Sequence, residues 1–323
     1  MAAIESRLHN ITAYPDPNYR QLRGALSQLH PTLTPEWILP GNGAAELLTW
    51  ACRELAEQAE TRLVVPAFSD YQRALRGFSA RVREFPLDLG EENVTLPIPP
   101  PSRQNRMGLL LNNPHNPTGQ LFDRDTLAPY VERYALVVID EAFMDFLPPQ
   151  AEQSFILEVQ NHPNLVILRS LTKFYSLPGL RLGYAIAHPE RLRRWQQWRD
   201  PWAVNTLAAV AAEAIVTEQP FRQQTWQWLP KARSQLFEGL KQLPGLRPHP
   251  SAANFLLVQT DLPSPQLQQT LLERHRILIR DCSSFPELGD RYFRVAVRTL
   301  EENQRLLEGL ATILDRSPTT NDQ

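Results

Sequence analysis

Apolar residues in the first two thirds of the chain fall into short runs that are hydrophobic throughout. Leu63-Val64-Val65, the segments 107–111 and 135–139, Leu165-Val166-Ile167-Leu168 and Tyr184-Ala185-Ile186-Ala187 each read as a strand. Residues 81–85 add another, and Glu36-Trp37-Ile38-Leu39 a short one ahead of them. Segments of helical period lie between them, at 44–56, 69–77 and 123–134, the last with Asp123 near its cap. Apolar strands alternating with helices predict a mostly parallel sheet covered on both faces. Ligands of such sheets gather at the carboxyl ends of the strands.

The flanking regions read differently. A short helix and a proline-stiffened turn, Ala13-Tyr14-Pro15-Asp16-Pro17-Asn18-Tyr19, lead to a helix at 19–29 with Asn18 as its expected cap. A proline-rich linker runs from Leu96 to Ser102. Beyond Tyr184 the pattern turns helical, at 189–199 and 204–217, then in a long helix at 219–243 that Pro230 should interrupt. Strands at 255–259, 277–280 and 292–297 alternate with helices at 265–275 and 301–314, which makes a smaller α+β unit. The polar tail from Ser317 is expected to be disordered. The expected organisation is a large domain at 36–218 and a small domain built from 1–35 and 219–323.

Charge and cysteine content narrow the class. A net charge of -2 over 323 residues gives no electrostatic reason to expect nucleic acid or an anionic membrane as partner. The basic cluster at 191–199 alternates with tryptophans and reads as a solvated helix with a tryptophan face, in preference to a nucleic-acid patch. Cys52 and Cys282 are far apart, without metal-ligand spacing, and suit buried thiols in a reducing compartment. The N-terminus lacks the apolar core of a signal peptide, and no apolar run approaches the roughly 20 residues of a membrane span. A soluble cytoplasmic protein without a metal site is expected.

Candidate chemistry sits at the strand ends. The chain has three lysines, Lys173, Lys231 and Lys241, and otherwise uses arginine for positive charge. Lysine can be deprotonated in a protein and arginine cannot. Lys173 lies between two buried strands, with Ser170 three residues before it and Arg181 eight after. Taken alone it reads as a surface lysine or as a neutral amine for Schiff-base chemistry. Asp140 ends the apolar run Leu136-Val137-Val138-Ile139, where a carboxylate needs a partner. A helix cap, an internal salt bridge and a cationic ring N–H all satisfy that need. Pro40-Gly41-Asn42-Gly43 opens a helix and is either an ordinary glycine-bearing strand–helix turn or a phosphate cradle made by the helix's first N–H groups. Phe68 is either core or a flat face for a planar ring. Asn116, in the stiff turn Asn113-Pro114-His115-Asn116-Pro117-Thr118-Gly119, is either turn chemistry or an amide aimed at a ring hydroxyl.

In order, Gly-Asn-Gly, Pro-x-Phe, Asn-Pro-Thr-Gly, Asp-Glu-Ala-Phe, Ser-x-x-Lys and Arg-Leu-Gly-Tyr resemble the fold-type-I pyridoxal-phosphate enzymes of the class I/II aminotransferase superfamily. The resemblance covers the chain from Tyr14 to about Leu314. It implies an α/β fold-type-I transferase, with a mostly parallel central sheet in the large domain and a smaller α+β domain. By motif position it implies that Lys173 forms the Schiff base with pyridoxal 5'-phosphate and that Asp140 keeps the pyridine nitrogen protonated. Asn116 would bond the ring hydroxyl and Phe68 would stack on the ring. Gly43, Ala44, Ser170 and Arg181 would hold the cofactor phosphate, and Tyr14 would reach the phosphate of a neighbouring subunit, which implies a homodimer. Arg294, with Arg280 nearby, would bind a substrate anion.

Within the superfamily, residues 169–184, Pro201-Trp202-Ala203-Val204-Asn205, 276–280 and 292–298 look most like the branch that decarboxylates O-phospho-L-threonine to (R)-1-amino-2-propanol O-2-phosphate in cobalamin biosynthesis. Histidinol-phosphate aminotransferases share the plan and imply the alternative reaction. Aminotransferases of this kind have tyrosine three residues after the aspartate, whereas this chain has Phe143, as in the decarboxylases. Those decarboxylases also carry a His-Gly-Gly-Asn motif in a segment ahead of the counterpart of Tyr14. The residues before Tyr14 here lack it, so either other groups grip the substrate phosphate or the activity is different or weaker.

Overall fold

A computed structural model describes residues 2–90, 95–99 and 106–315. The expected disordered tail and positions 100–102 of the proline-rich linker lie outside the described residues. α1 (Ala2–Ser6) and α2 (Arg20–Ser27) precede β1 (Ile38–Asn42) and α3 (Gly43–Leu55). There follow β2 (Glu60–Val65), α4 (Ser69–Gly77), β3 (Val82–Pro86), β4 (Met107–Asn112), α5 (Arg124–Arg133), β5 (Leu136–Asp140), β6 (Leu165–Ser170), the single turn α6 (Leu171–Phe174) and β7 (Leu182–Ala187). α7 (Pro189–Trp198), α8 (Thr206–Ile215) and α9 (Gln219–Lys241) lead to β8 (Leu246–Pro248), β9 (Phe255–Thr260), α10 (Ser264–His275), β10 (Arg280–Asp281), β11 (Tyr292–Ala296) and α11 (Leu300–Leu314). The chain groups into two compact units, Met1–Pro114 with Phe122–Arg222, and His115–Leu121 with Gln223–Gln323.

The first unit holds a seven-stranded sheet of order β1-β7-β6-β5-β4-β2-β3. Pairings from β3 through β6 are parallel, and β7 runs antiparallel to both of its neighbours. Successive side chains of a strand point to opposite faces, and the core follows that rule. Leu109, Leu111, Val137, Ile139, Leu165 and Ile167 face one layer of apolar side chains, with Leu22 of α2, Leu127 of α5 and Ala208 of α8. Leu110, Val138, Val166 and Leu168 face the other, with Leu48 of α3, Leu75 of α4 and Trp195 of α7. The sheet is mixed but mostly parallel, and helices cover both faces as the apolar runs predicted.

The segment ahead of β1 groups with this unit and not with the C-terminal part. Leu22 and Leu26 are buried in its core, and each such side chain contributes about 1.5–3 kcal/mol. The Tyr19 hydroxyl donates to the Val204 carbonyl at 3.2 Å and accepts from the Val204 amide at 2.9 Å. Asn18 does not cap α2. Tyr19 occupies the cap position in the left-handed region, without a side-chain bond. The Asp16 carboxylate instead accepts from the Asn18 and Arg20 amides at 3.0 and 3.1 Å. A carboxylate two residues upstream satisfies these N–H groups as an Asx turn does.

The second unit has a four-stranded antiparallel sheet of order β10-β11-β9-β8. α9 runs unbroken through Pro230. One missing backbone bond is tolerated where an apolar stripe, here Leu229, Ala232, Leu236 and Leu240, is buried along the helix. The strand expected at 277–280 shrinks to Arg280–Asp281. Arg276, in the left-handed region, and Ile277 give their amides to Leu272 and Leu271 to close α10, so the start of that apolar run serves as a helix C-cap.

Candidate active site

Strands β1, β2, β4, β5 and β6 point the same way, so their carboxyl ends share one rim of the sheet. β7 runs the other way and brings its first residues to that rim. The register sets Ser170 opposite Gly183, and Gly183 opposite Gly41. Gly43, Ala44, Ser170 and Arg181 therefore gather where β1, β7 and β6 meet.

Two glycines permit this convergence. Gly43 has φ +75, and a Cβ there would lie 2.5 Å from Arg181 Nη2. The guanidinium thus lies over the start of α3. A Cβ on Gly183 would lie 2.5 Å from the Ala44 nitrogen and 2.7 Å from the Arg169 carbonyl. Arg181 itself is in the left-handed region at φ +56, and its Nη1 donates to the Pro178 carbonyl at 3.2 Å. The Ser170 hydroxyl lies 2.8 Å from that of Thr172. The first-turn N–H groups of a 13-residue helix, a guanidinium and a pair of hydroxyls make a donor set suited to a phosphate.

Asp140 closes β5 and is buried. Its Oδ2 accepts from the Tyr71 hydroxyl at 2.7 Å and its Oδ1 from the Ala142 amide at 3.0 Å. Burial pushes the carboxyl above its ordinary range, while these two donors and the positive charge of Lys173 pull it back. Lys173 lies in α6, directly after β6. Phe68 precedes α4 and is 40% exposed, with its ring edge-to-face against Tyr71 at 5.7 Å. Phe143 is buried, and its ring stacks on Phe146.

Beside Asp140 lies a buried charge cluster. Arg169, 1% exposed, donates to Glu141 at 3.0 Å, Asp145 at 2.5 Å and Glu152 at 2.5 Å. Glu141 also accepts from the Ser154 hydroxyl at 2.6 Å and the Phe155 amide at 3.1 Å. Burial pushes the Glu141 carboxyl up to about 7, although Arg169 draws it down. The cluster ties the turn after Asp140 to β6, the strand that leads to Lys173.

The second unit contains the other candidates. The Asn116 carbonyl oxygen accepts from Arg294 Nη1. Asn116 sits in a turn closed by the Gly119 amide on the His115 carbonyl at 2.6 Å and by His115 Nδ1 at 2.9 Å from the Thr118 hydroxyl. Arg280 and Arg294 are directly paired across β10 and β11. Like charges directly opposed on a sheet repel. Burial and the neighbouring Arg280 both hold the Arg294 guanidinium below its ordinary range. Two such arginines side by side suit an anion.

Tyr14, in the first unit, is 80% exposed and its ring lies 4.6 Å from that of Trp202. The structure thus brings Gly43, Ala44, Ser170, Arg181, Asp140, Lys173 and Phe68 to one rim of the first unit. Tyr14 is on that unit's surface, and Asn116, Arg280 and Arg294 belong to the second unit. Sequence reasoning gave no role to Tyr71, Thr172 or the Arg169 cluster. Tyr71 falls on the apolar stripe of α4 with Ala74 and Leu75, so its period marks it as core. Arg169 carried a usable signal, since an arginine ending an apolar strand needs a carboxylate, and Glu141 stands in the neighbouring strand-end motif.

The sequence matches the family Aminotransferase class I and II over residues 2–310. It is 37% identical to the threonine-phosphate decarboxylase of Salmonella typhimurium, over 97% of this chain and 86% of that protein. Against the histidinol-phosphate aminotransferase of Symbiobacterium thermophilum it is 33% identical, over 97% of this chain and 86% of that protein. The crystal structure of L-threonine-O-3-phosphate decarboxylase from Porphyromonas gingivalis matches with a TM-score of 0.86 at 26% identity, covering 98% of this chain and 94% of that one. The strand-end motifs, the mostly parallel sheet between two helical layers and a family match along nearly the whole chain agree: this protein belongs to the aminotransferase class I and II family.

Proposed function

We propose that the protein is a pyridoxal-phosphate-dependent lyase that converts O-phospho-L-threonine to (R)-1-amino-2-propanol O-2-phosphate, a step of cobalamin biosynthesis. The residues fit the cofactor. The α3 N-terminus, Ser170 and Arg181 suit its phosphate, the Gly43 cradle leaves room for it where a Cβ would meet Arg181, and buried Asp140 suits a cationic ring nitrogen. Bound there, pyridoxal phosphate supplies an electron sink for the bond at the substrate α-carbon that stands perpendicular to its ring. The chain's own residues do the rest. Asp140 would offer its carboxylate to the ring nitrogen, Phe68 and Asn116 would orient the ring, and Lys173 would deliver the proton that replaces the lost carboxylate at the substrate α-carbon. Arg294 and Arg280 grip a substrate anion and so decide which bond is presented.

The observation that favours decarboxylation over transamination is Phe143. Three residues after Asp140 it offers a buried ring without a hydroxyl, in a chain 37% identical to a threonine-phosphate decarboxylase. The test is to incubate the protein with each substrate. Release of CO2 from O-phospho-L-threonine without a keto acid supports the reading. Glutamate formed from 2-oxoglutarate only with histidinol phosphate overturns it. Lys173→Ala abolishes either reaction, and cofactor-amine absorbance that survived in that variant would remove Lys173 from its role.

The same reading makes the protein a cytoplasmic homodimer in which Tyr14 reaches the neighbouring subunit's site. Tyr14 is exposed for such a contact, and the free, buried Cys52 and Cys282 suit a reducing compartment. Sedimentation of the loaded protein as a monomer overturns the dimer.

A further inference from the structure

We infer that Tyr71 is a positioning residue for this reaction: its hydroxyl fixes the Asp140 carboxylate in the orientation that meets the cofactor ring nitrogen. The inference rests on the proposed use of pyridoxal phosphate. Tyr71 is 2% exposed on α4, and its phenol donates to Asp140 Oδ2 at 2.7 Å. The Ala142 amide donates to Oδ1 at 3.0 Å. Each carboxylate oxygen therefore has one donor, and each keeps a second acceptor direction. Two donors on opposite oxygens fix the plane of a carboxylate, whereas a single one leaves it a pivot.

A buried tyrosine needs a partner for its hydroxyl, and a backbone carbonyl would serve. Tyr71 instead spends its proton on a strand-end carboxylate. The same turn also sets Phe68. The Tyr71 amide donates to the Phe68 carbonyl at 2.9 Å, and the rings meet edge-to-face at 89°. One helical turn thus holds both the carboxylate proposed for the ring nitrogen and the aromatic face proposed for the ring.

The test uses the loaded enzyme, with Tyr71→Phe, Asp140→Asn and the double variant. Tyr71→Phe keeps the ring that fills the core and removes only the hydroxyl. The expected result is about a tenfold weaker affinity for pyridoxal phosphate, a shifted cofactor absorbance band and about a tenfold lower kcat, with KM for O-phospho-L-threonine unchanged. In the Asp140→Asn background Tyr71→Phe adds less than twofold to the loss of affinity, because both act through one contact. A Tyr71→Phe protein with the wild-type spectrum and affinity overturns the inference, as do losses that multiply in the double variant. Wild-type protein that takes up no pyridoxal phosphate overturns the function and this inference together. Uptake by wild type alongside an indistinguishable Tyr71→Phe overturns this inference alone.

Discussion

Replacing Arg169 by methionine should cost the fold about 3–5 kcal/mol, the range for removing one partner of a buried ion pair. Arg169 is almost completely buried and meets three carboxylates at 2.5–3.0 Å. Methionine fills much of the same volume, so the loss is mainly electrostatic. Glu141 sets its pH dependence. Its folded-state value of about 7 lies above the ordinary 4.5. Stability from that carboxyl is therefore full below about pH 4.5 and is lost as pH rises through 7. Without Arg169 the Glu141 carboxyl rises further, because the guanidinium was pulling it down. The cost of Arg169→Met is thus smallest near pH 5, where the cluster takes up protons, and grows toward pH 8. Urea unfolding of both proteins at pH 5 and pH 8 measures it. A loss below about 1 kcal/mol at pH 8, or an equal loss at both values, would refute the argument.

Three further outcomes are expected. Gly183→Ala forces a Cβ against the Ala44 nitrogen at 2.5 Å, which costs about 1–3 kcal/mol of stability and weakens pyridoxal phosphate affinity at least tenfold, as read by absorbance titration. Phe143→Tyr introduces a hydroxyl whose hydrogen bond to bound cofactor, at about 1.4 kcal/mol per tenfold, lowers the ratio of CO2 release to keto-acid formation about tenfold. An unchanged product ratio removes Phe143 from the choice of reaction. Arg294→Lys keeps the charge but loses the fork, so kcat/KM for O-phospho-L-threonine falls ten- to a hundredfold while cofactor affinity holds.

Much of this architecture can be read before any coordinates. β5 and β6 are legible because burial on both faces leaves continuous apolar runs, and their ends are marked by Asp140 and Ser170. The direction of β7 is not legible, since an apolar run has no sense until it is paired. The role of Asp16, two residues before the expected cap Asn18, escapes because either side chain could take the Arg20 amide and only the turn decides. Pro230 misleads because local preference is outweighed by the buried stripe of α9. Tyr71 escapes for a different reason. Its period is that of a core residue and it is a core residue, so nothing in the spacing reveals where the hydroxyl points.

The seven residues His115–Leu121 belong to the second unit although they lie in the chain between β4 and α5. A gene segment starting at residue 223 would therefore encode Arg294 without Asn116, whose carbonyl it binds. It would also encode the Ala252 amide without the Gly119 carbonyl that receives it. The smaller unit cannot be exchanged by a single crossover at the 222–223 boundary. Recombination at that boundary keeps these two contacts only where the receiving scaffold supplies a compatible turn in place of His115–Leu121.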